Sequence, residues 1–266
     1  MQEYNQADKQ IHWLSQVIAK ANRTFVPGED DDSHTNLYFD AMGGRLFGRW
    51  IDGPDGRIIL ALNLQTFAFE WMDERQHVLH EVQVFGKDMA QLEPAAAEYP
   101  ASIHLDTHHF SNPLHFDIPE YGIEALQKED ISPVGLQQWS VFRELANRSC
   151  HTMLGYLQAE GEIRIWPHHF DTGIYAMVTQ DLGLGFGLAM EDAMTGSPYF
   201  YLSGYNQRKP VSYENPSRLT KGSWITGEHW NGAVLALEAL GNASEEESGL
   251  ILQEFISEAT GWFLKQ

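Results

Sequence analysis

The chain has 266 residues, 43% of them hydrophobic, and carries 17 Lys and Arg against 37 Asp and Glu for a formal charge of −20. A chain of that length buries roughly three quarters of its unfolded surface, so it needs neither disulfide nor metal to fold, and charge of that sign repels phosphate backbones and anionic lipid, which argues against nucleic acid and membrane as partners. Cys150 is the only cysteine, which excludes an intramolecular disulfide and a cysteine-based zinc site, and with no leader-like start and no window near the roughly 18 apolar residues of a membrane span the expected location is the cytoplasm.

Ile11, Leu14, Ile18, Ala21 and Phe25, with Val17 beside them, recur at three-and-four spacing and predict an amphipathic helix over 5–25, stopped by Pro27-Gly28. The acidic run Glu29 to Asp32 follows as a solvated loop. From Asn36 onward LYFDAM, RLFGRWI and RIILALNLQTFAFEWM predict strands, with Gly53-Pro54-Asp55-Gly56 as a hairpin connection, and HVLHEVQVF alternates as a further strand. Residues 87–100, KDMAQLEPAAAEYP, predict a short helix that its prolines interrupt, and SIHLDTHHF after it reads as extended. Ser132-Pro133 supplies an N-cap with proline at the first helical position, opening a second long helix that puts Leu136, Trp139, Phe142, Leu145, Ala146 and Met153 on one face. GEIRIWPHHFDTGIYAMVT, GLGFGLAM and SPYFYLSGY predict strands. The tail is read as helical: GEHWNGAVLALEAL up to Gly241, then a helix opened by a capping box at Ser244 to Glu247 and striped by Ile251, Leu252, Phe255, Ile256, Ala259, Trp262 and Phe263.

Strands adjoining strands, with long helices outside the runs, give an α+β fold: largely antiparallel sheets packed by long amphipathic helices. No linker interrupts the pattern, so 1–266 reads as a single full-length unit. ANRT at 21–24 is echoed by ANRS at 146–149, each on a helix that also bears a tryptophan, which opens the alternative of two similar halves, 1–130 and 131–266.

His104, His108, His109, His115, His168 and His169 cluster in two stretches, and neutral imidazole is the commonest metal ligand. On an extended chain neighbours point to opposite faces, so His169 would pair with Asp171, and His104, Asp106 and His108 would share a side. Four strand steps span about 13 Å against a zinc–nitrogen bond of about 2 Å. A metal site therefore draws on both stretches: His104, His108, His169 and Asp171, an N/O set suited to a divalent metal such as zinc or manganese. The alternative is that the same histidines are core-edge groups bonded to backbone carbonyls.

Gly183, Gly185 and Gly187 alternate with Leu184 and Phe186, which on a strand leaves one face without side chains; either aromatic or helical packing or a ligand must approach it. In SPYFYLSGY, Tyr199, Tyr201 and Ser203 share a face while Phe200 and Leu202 face the core. Tyrosines on an outward sheet face line pockets for ring-shaped ligands, which makes Tyr175, Tyr199 and Tyr201, with Trp166, candidate ligand-binding residues. Nucleophilic catalysis has no anchor: G-x-S-x-G is missing, and Cys150 and His151 are helical neighbours that do not face each other.

IRIWPHHFDTGIYA, followed by GSPYFYLSGY and a closing helix ending ATGWF, resembles a family of uncharacterised bacterial proteins, a domain of unknown function, over most of the chain from IHWLSQVIAKA onward. The resemblance implies a single full-length unit and brings no activity with it. The leading expectation is a soluble acidic protein holding a small molecule in an aromatic cleft by the 166–205 strands. A metal-dependent hydrolase using the His/Asp site and a non-catalytic scaffold are the other two.

Overall fold

A computed structural model describes residues 1–266. The first helix, α1 (Gln2–Phe25), buries Tyr4, Ala7, Ile11, Leu14, Val17, Ile18 and Ala21 along one stripe. It ends where Val26 donates its N–H to the Asn22 carbonyl and Pro27, lacking an N–H, cannot continue the ladder. Six short strands follow: β1 (Tyr38–Asp40), β2 (Arg45–Phe47), β3 (Ile51–Gly53), β4 (Gly56–Asn63), β5 (Ala68–Asp73) and β6 (Val78–Gln83). They form one antiparallel sheet in the order β1-β2-β4-β5-β6 with β3 also paired to β4, and the predicted hairpin is present, Gly53 opposite Gly56. Ile58, Leu60, Leu62, Phe69 and Trp71 bury their side chains in the core of this sheet.

Helix α2 (Met89–Ser102) runs through both of its prolines, whereas the sequence predicts an interruption. Two contacts hold it, one local and one from the sheet. Asp88 and Gln91 form a reciprocal capping box at its start. At its end, Pro100 leaves the Ala96 carbonyl without its helical donor, and the Trp71 indole N–H donates to that oxygen instead at 2.8 Å.

Helix α3 (Pro133–Leu157) starts as predicted, with the Ser132 hydroxyl accepting from the Gly135 N–H at 3.0 Å. Beyond it lie β7 (Arg164–Ile165), β8 (Thr172–Met177), β9 (Leu182–Ala189), β10 (Tyr199–Asn206), β11 (Ser223–Thr226) and β12 (Asn231–Ala236), then α4 (Glu245–Phe263). The second sheet has the order β11-β12-β10-β9-β8-β7, with antiparallel pairing between β8, β9, β10, β12 and β11. The capping box of α4 is formed as predicted by Ser244 and Glu247. One element differs in kind: GEHWNGAVLALEAL is not helical but gives β12 and a short 3-10 turn, Leu237–Leu240. Its apolar run is short enough for either state, and pairing on one side with the adjacent strand β11 and on the other with β10, about 30 residues earlier, decides for strand.

The fold is therefore α+β with two antiparallel sheets. The chain separates into two compact units: an N-terminal one of residues 2–140 with 165–170, and a C-terminal one of 141–164 and 171–266 with Met1. No helix is long and apolar enough to cross a membrane.

Candidate functional site

The histidine stretches are turns rather than strands. After β7, Phe170 donates its N–H to the Trp166 carbonyl at 2.7 Å and takes φ +54°, which closes 166–170 into a loop. Phe170 is fully buried and stacks on His12, ring centroids 4.8 Å apart and planes within 8°. His12 and Gln16 of α1 hold the Pro167 carbonyl at 2.8 and 2.9 Å. Because a carbonyl only accepts, His12 carries its proton on Nε2, and its Nδ1 accepts from the Tyr121 hydroxyl at 2.6 Å. Burial, with the charge of Asp8 adding to it, pushes the Tyr121 phenol well above its usual range. His12 is thus an internal strut, and its role is invisible in the sequence because its partners lie 109 and 155 residues away.

The earlier stretch also turns. His104 has φ +68°, Asp106 caps the His108 N–H at 2.9 Å, and Arg23 of α1 donates to the carbonyls of His109, Phe110, Asn112 and Pro113. The strand parity that would have paired His169 with Asp171, and His104 with His108, therefore does not apply. His168 and His169 instead stand side by side with ring centroids 4.3 Å apart, His169 exposed. No group of three His, Cys, Asp or Glu side chains that could hold a metal ion is found, and His104, His108 and His169 lie in turns rather than on the strands from which their shared faces were expected.

The second sheet builds a different candidate. One face of it, with Ile174, Leu184, Phe186, Leu188, Phe200 and Leu202, is buried, and α4 packs there: the Phe263 ring occupies the space a Cβ would take at Gly204, 2.6 Å away. The other face carries Asp171, Gly173, Tyr175 and Met177 from β8 and its approach, Gly183, Gly185 and Gly187 from β9, and Tyr199, Tyr201, Ser203 and Tyr205 from β10, as strand alternation and register require. The bare backbone of β9 is covered by tyrosines from the strands on either side. A Cβ at Gly183 would collide with the Tyr175 ring, one at Gly185 would lie 3.4 Å from Tyr205, and one at Gly187 2.9 Å from the Tyr201 hydroxyl. Aromatic packing, the plainer of the two expectations, accounts for the glycines.

The rings stand edge to face: Tyr175 to Tyr205 at 5.9 Å, Tyr199 to Tyr201 at 6.5 Å, and Tyr201 to Trp230 at 6.5 Å and 87°. Their exposure is graded. Tyr199 is buried, Tyr201 and Trp230 half-buried, while Tyr175 and Tyr205 are 45% and 49% exposed and Met177 beside them 41%. Two hydroxyls are fixed by carboxylates: Tyr201 donates to Asp171 at 2.5 Å and Tyr199 to Asp192 at 2.7 Å. Burial first, then the neighbouring carboxylate, raises both phenols far above their usual range. No family model, curated protein or solved structure matches the chain.

Of the four residues predicted to bind a ligand, Tyr175, Tyr199 and Tyr201 share this face, whereas Trp166 is half-buried in the turn of the N-terminal unit. Tyr205 and Trp230 belong to the face and were not singled out; the parity of Tyr205 with Tyr201 was the available signal. Asp192 is both a turn residue, its Oδ1 capping the N–H groups of Met194 and Thr195, and the acceptor for Tyr199. Cys150 is fully buried, and burial with the nearby charge of Asp171 holds its thiol protonated, which removes it as a nucleophile. A separate cavity of about 260 Å³ lies between α3 and α4 of the same unit, where Arg148 is already paired with Glu245 at 2.6 Å.

Proposed function

We propose that the protein is a small-molecule binder whose ligand lies against the tyrosine face of the second sheet, stacked on Tyr175 and Tyr205 and bordered by Tyr201 and Trp230. The observation that carries this is the exposure of Tyr175 and Tyr205, 45% and 49%, although both rings are anchored against bare glycine backbone. A tyrosine needed only for the core turns its ring inward. Here two adjacent rings are held from behind and open in front, so they offer apolar area and hydroxyls at little further cost in side-chain entropy. A net charge of −20 keeps nucleic acid out of the proposed partners, and the protein is proposed to work in the cytoplasm with Cys150 reduced. No reaction is assigned.

The test is calorimetric titration with ring-bearing probes, one neutral disaccharide and one arylalkylamine, on the wild-type chain and on Tyr175→Ala and Tyr205→Ala. At least one probe should bind, and each substitution should weaken it about fivefold or more, since an aromatic contact contributes on the order of 1 kcal/mol. Unchanged affinity in both variants, or no binding by any probe, rejects the tyrosine face as the site.

A further inference from the structure

Within the binding reading above, on which this step rests, the charges on the face select among ligands. Asp171 is half-buried beside Tyr201 and Gly173, and its single hydrogen bond comes from the Tyr201 hydroxyl. It enters no ion pair with Lys, Arg or His. Elsewhere in the chain the well-buried carboxylates Glu70 and Glu93 hold Arg45 and Lys20 at 2.7 and 2.6 Å. A partly desolvated carboxylate is costly unless a cation or several donors meet it, and one phenol meets only part of that requirement. The Tyr201 ring beside it adds attraction of the same sign: the face of a tyrosine is negative and favours a cation within about 6 Å of the ring centre. Asp192, which holds the neighbouring Tyr199, adds a second negative charge on this side of the sheet.

We infer that the ligand is an organic cation, a protonated or quaternary amine on a ring-bearing or apolar body, with its ammonium group at Asp171 beside Tyr201 and its body extending along the sheet toward Tyr175 and Tyr205. Strand geometry sets the reach: Asp171 and Tyr175 are four residues apart on one face, about 13 Å. Anionic ligands are repelled by the same groups. A neutral sugar can stack on the tyrosines but gains nothing from the carboxylate charge.

The experiment compares 4-phenylbutylamine, charged at neutral pH, with its uncharged N-acetyl derivative and with cellobiose, by calorimetry on the wild-type chain at low and moderate salt. The amine should bind at least tenfold more tightly than its acetyl derivative and lose affinity as salt rises. Asp171→Asn, which keeps an oxygen for the Tyr201 hydroxyl, should remove most of that difference while circular dichroism shows the fold intact. Equal binding of amine and amide, or tighter binding of cellobiose, overturns the cationic assignment and leaves the tyrosine face as a site for neutral rings. No binding by any of the three overturns both. The comparison of amine with amide on the wild-type chain is decisive even where Asp171→Asn fails to fold.

Discussion

Each sheet carries a carboxylate on the face opposite its main helical packing, and the two are handled in opposite ways. In the first sheet Glu70 is 3% exposed; its two oxygens accept from the Arg45 Nε at 2.7 Å and the Asn63 side-chain amide at 2.8 Å. Charge, donors and burial are matched, which is the arrangement of a structural ion pair. In the second sheet Asp171 meets a tyrosine hydroxyl and no cation. The backbones differ in the same sense: β4 fills its outward positions with Ile59 and Ala61, whereas β9 leaves Gly183, Gly185 and Gly187 bare for tyrosines of the flanking strands. One face is closed by its own side chains, and the other is completed by rings that remain open to solvent, which is the feature the proposed binding reading uses.

That contrast can be broken most severely at Gly187. A Cβ there would stand 2.9 Å from both the Gly173 Cα and the Tyr201 hydroxyl, and backbone cannot yield as a side chain does. Gly187→Ala should cost about 2–3 kcal/mol by chemical denaturation, as overpacking does, and a loss below about 0.5 kcal/mol would show that the two strands are not held that closely. Next in size, Glu70→Gln leaves Arg45 without its counter-charge. Breaking a buried pair costs up to several kcal/mol, and because the Arg45 side chain is 23% exposed the expected loss is reduced to about 2 kcal/mol.

The tyrosine face should also show itself at alkaline pH. Tyr199 and Tyr201 have their folded-state pKa raised above the ordinary 10.0, so between that value and the folded one the unfolded chain has lost phenolic protons that the folded chain keeps. Unfolding then releases protons and stability falls as pH rises above 10, by about 1.4 kcal/mol per pH unit for each such tyrosine. Melting curves from pH 9 to 11 should steepen accordingly, and Tyr201→Phe should flatten the slope; an unchanged slope places that hydroxyl in solvent. The smallest effect sharpens the comparison most. Asp171→Asn, chemically the same change as Glu70→Gln, should alter stability by less than about 1 kcal/mol, because it leaves no cation unpaired. Equal losses at positions 70 and 171 would mean that Asp171 is a structural group like Glu70.

Much of this was determined by the sequence alone. Helix α1, the starts of α3 and α4 and the β3–β4 hairpin follow from apolar spacing, Ser132-Pro133, the Ser244–Glu247 box and Gly53 to Gly56. So did the division of β10 into a tyrosine side and a core side. These are decisions made within four residues by helix period, strand alternation and capping, which one segment expresses without help from any other. What only tertiary structure decided involves partners that are remote in sequence. Arg23 bends the 109–113 segment across 86 to 90 residues, and His12 holds Pro167 across 155. Trp71 relieves Pro100 in α2 by taking up the Ala96 carbonyl, and β10 pairs with residues 231–236 and helps to draw them into a strand. The candidate site divides along the same line. Parity paired Asp171 with His169, but whether an imidazole, a cation or a phenol would meet its carboxylate depended on which strand folded beside it, and a hydrogen bond 30 residues long brings it the Tyr201 hydroxyl.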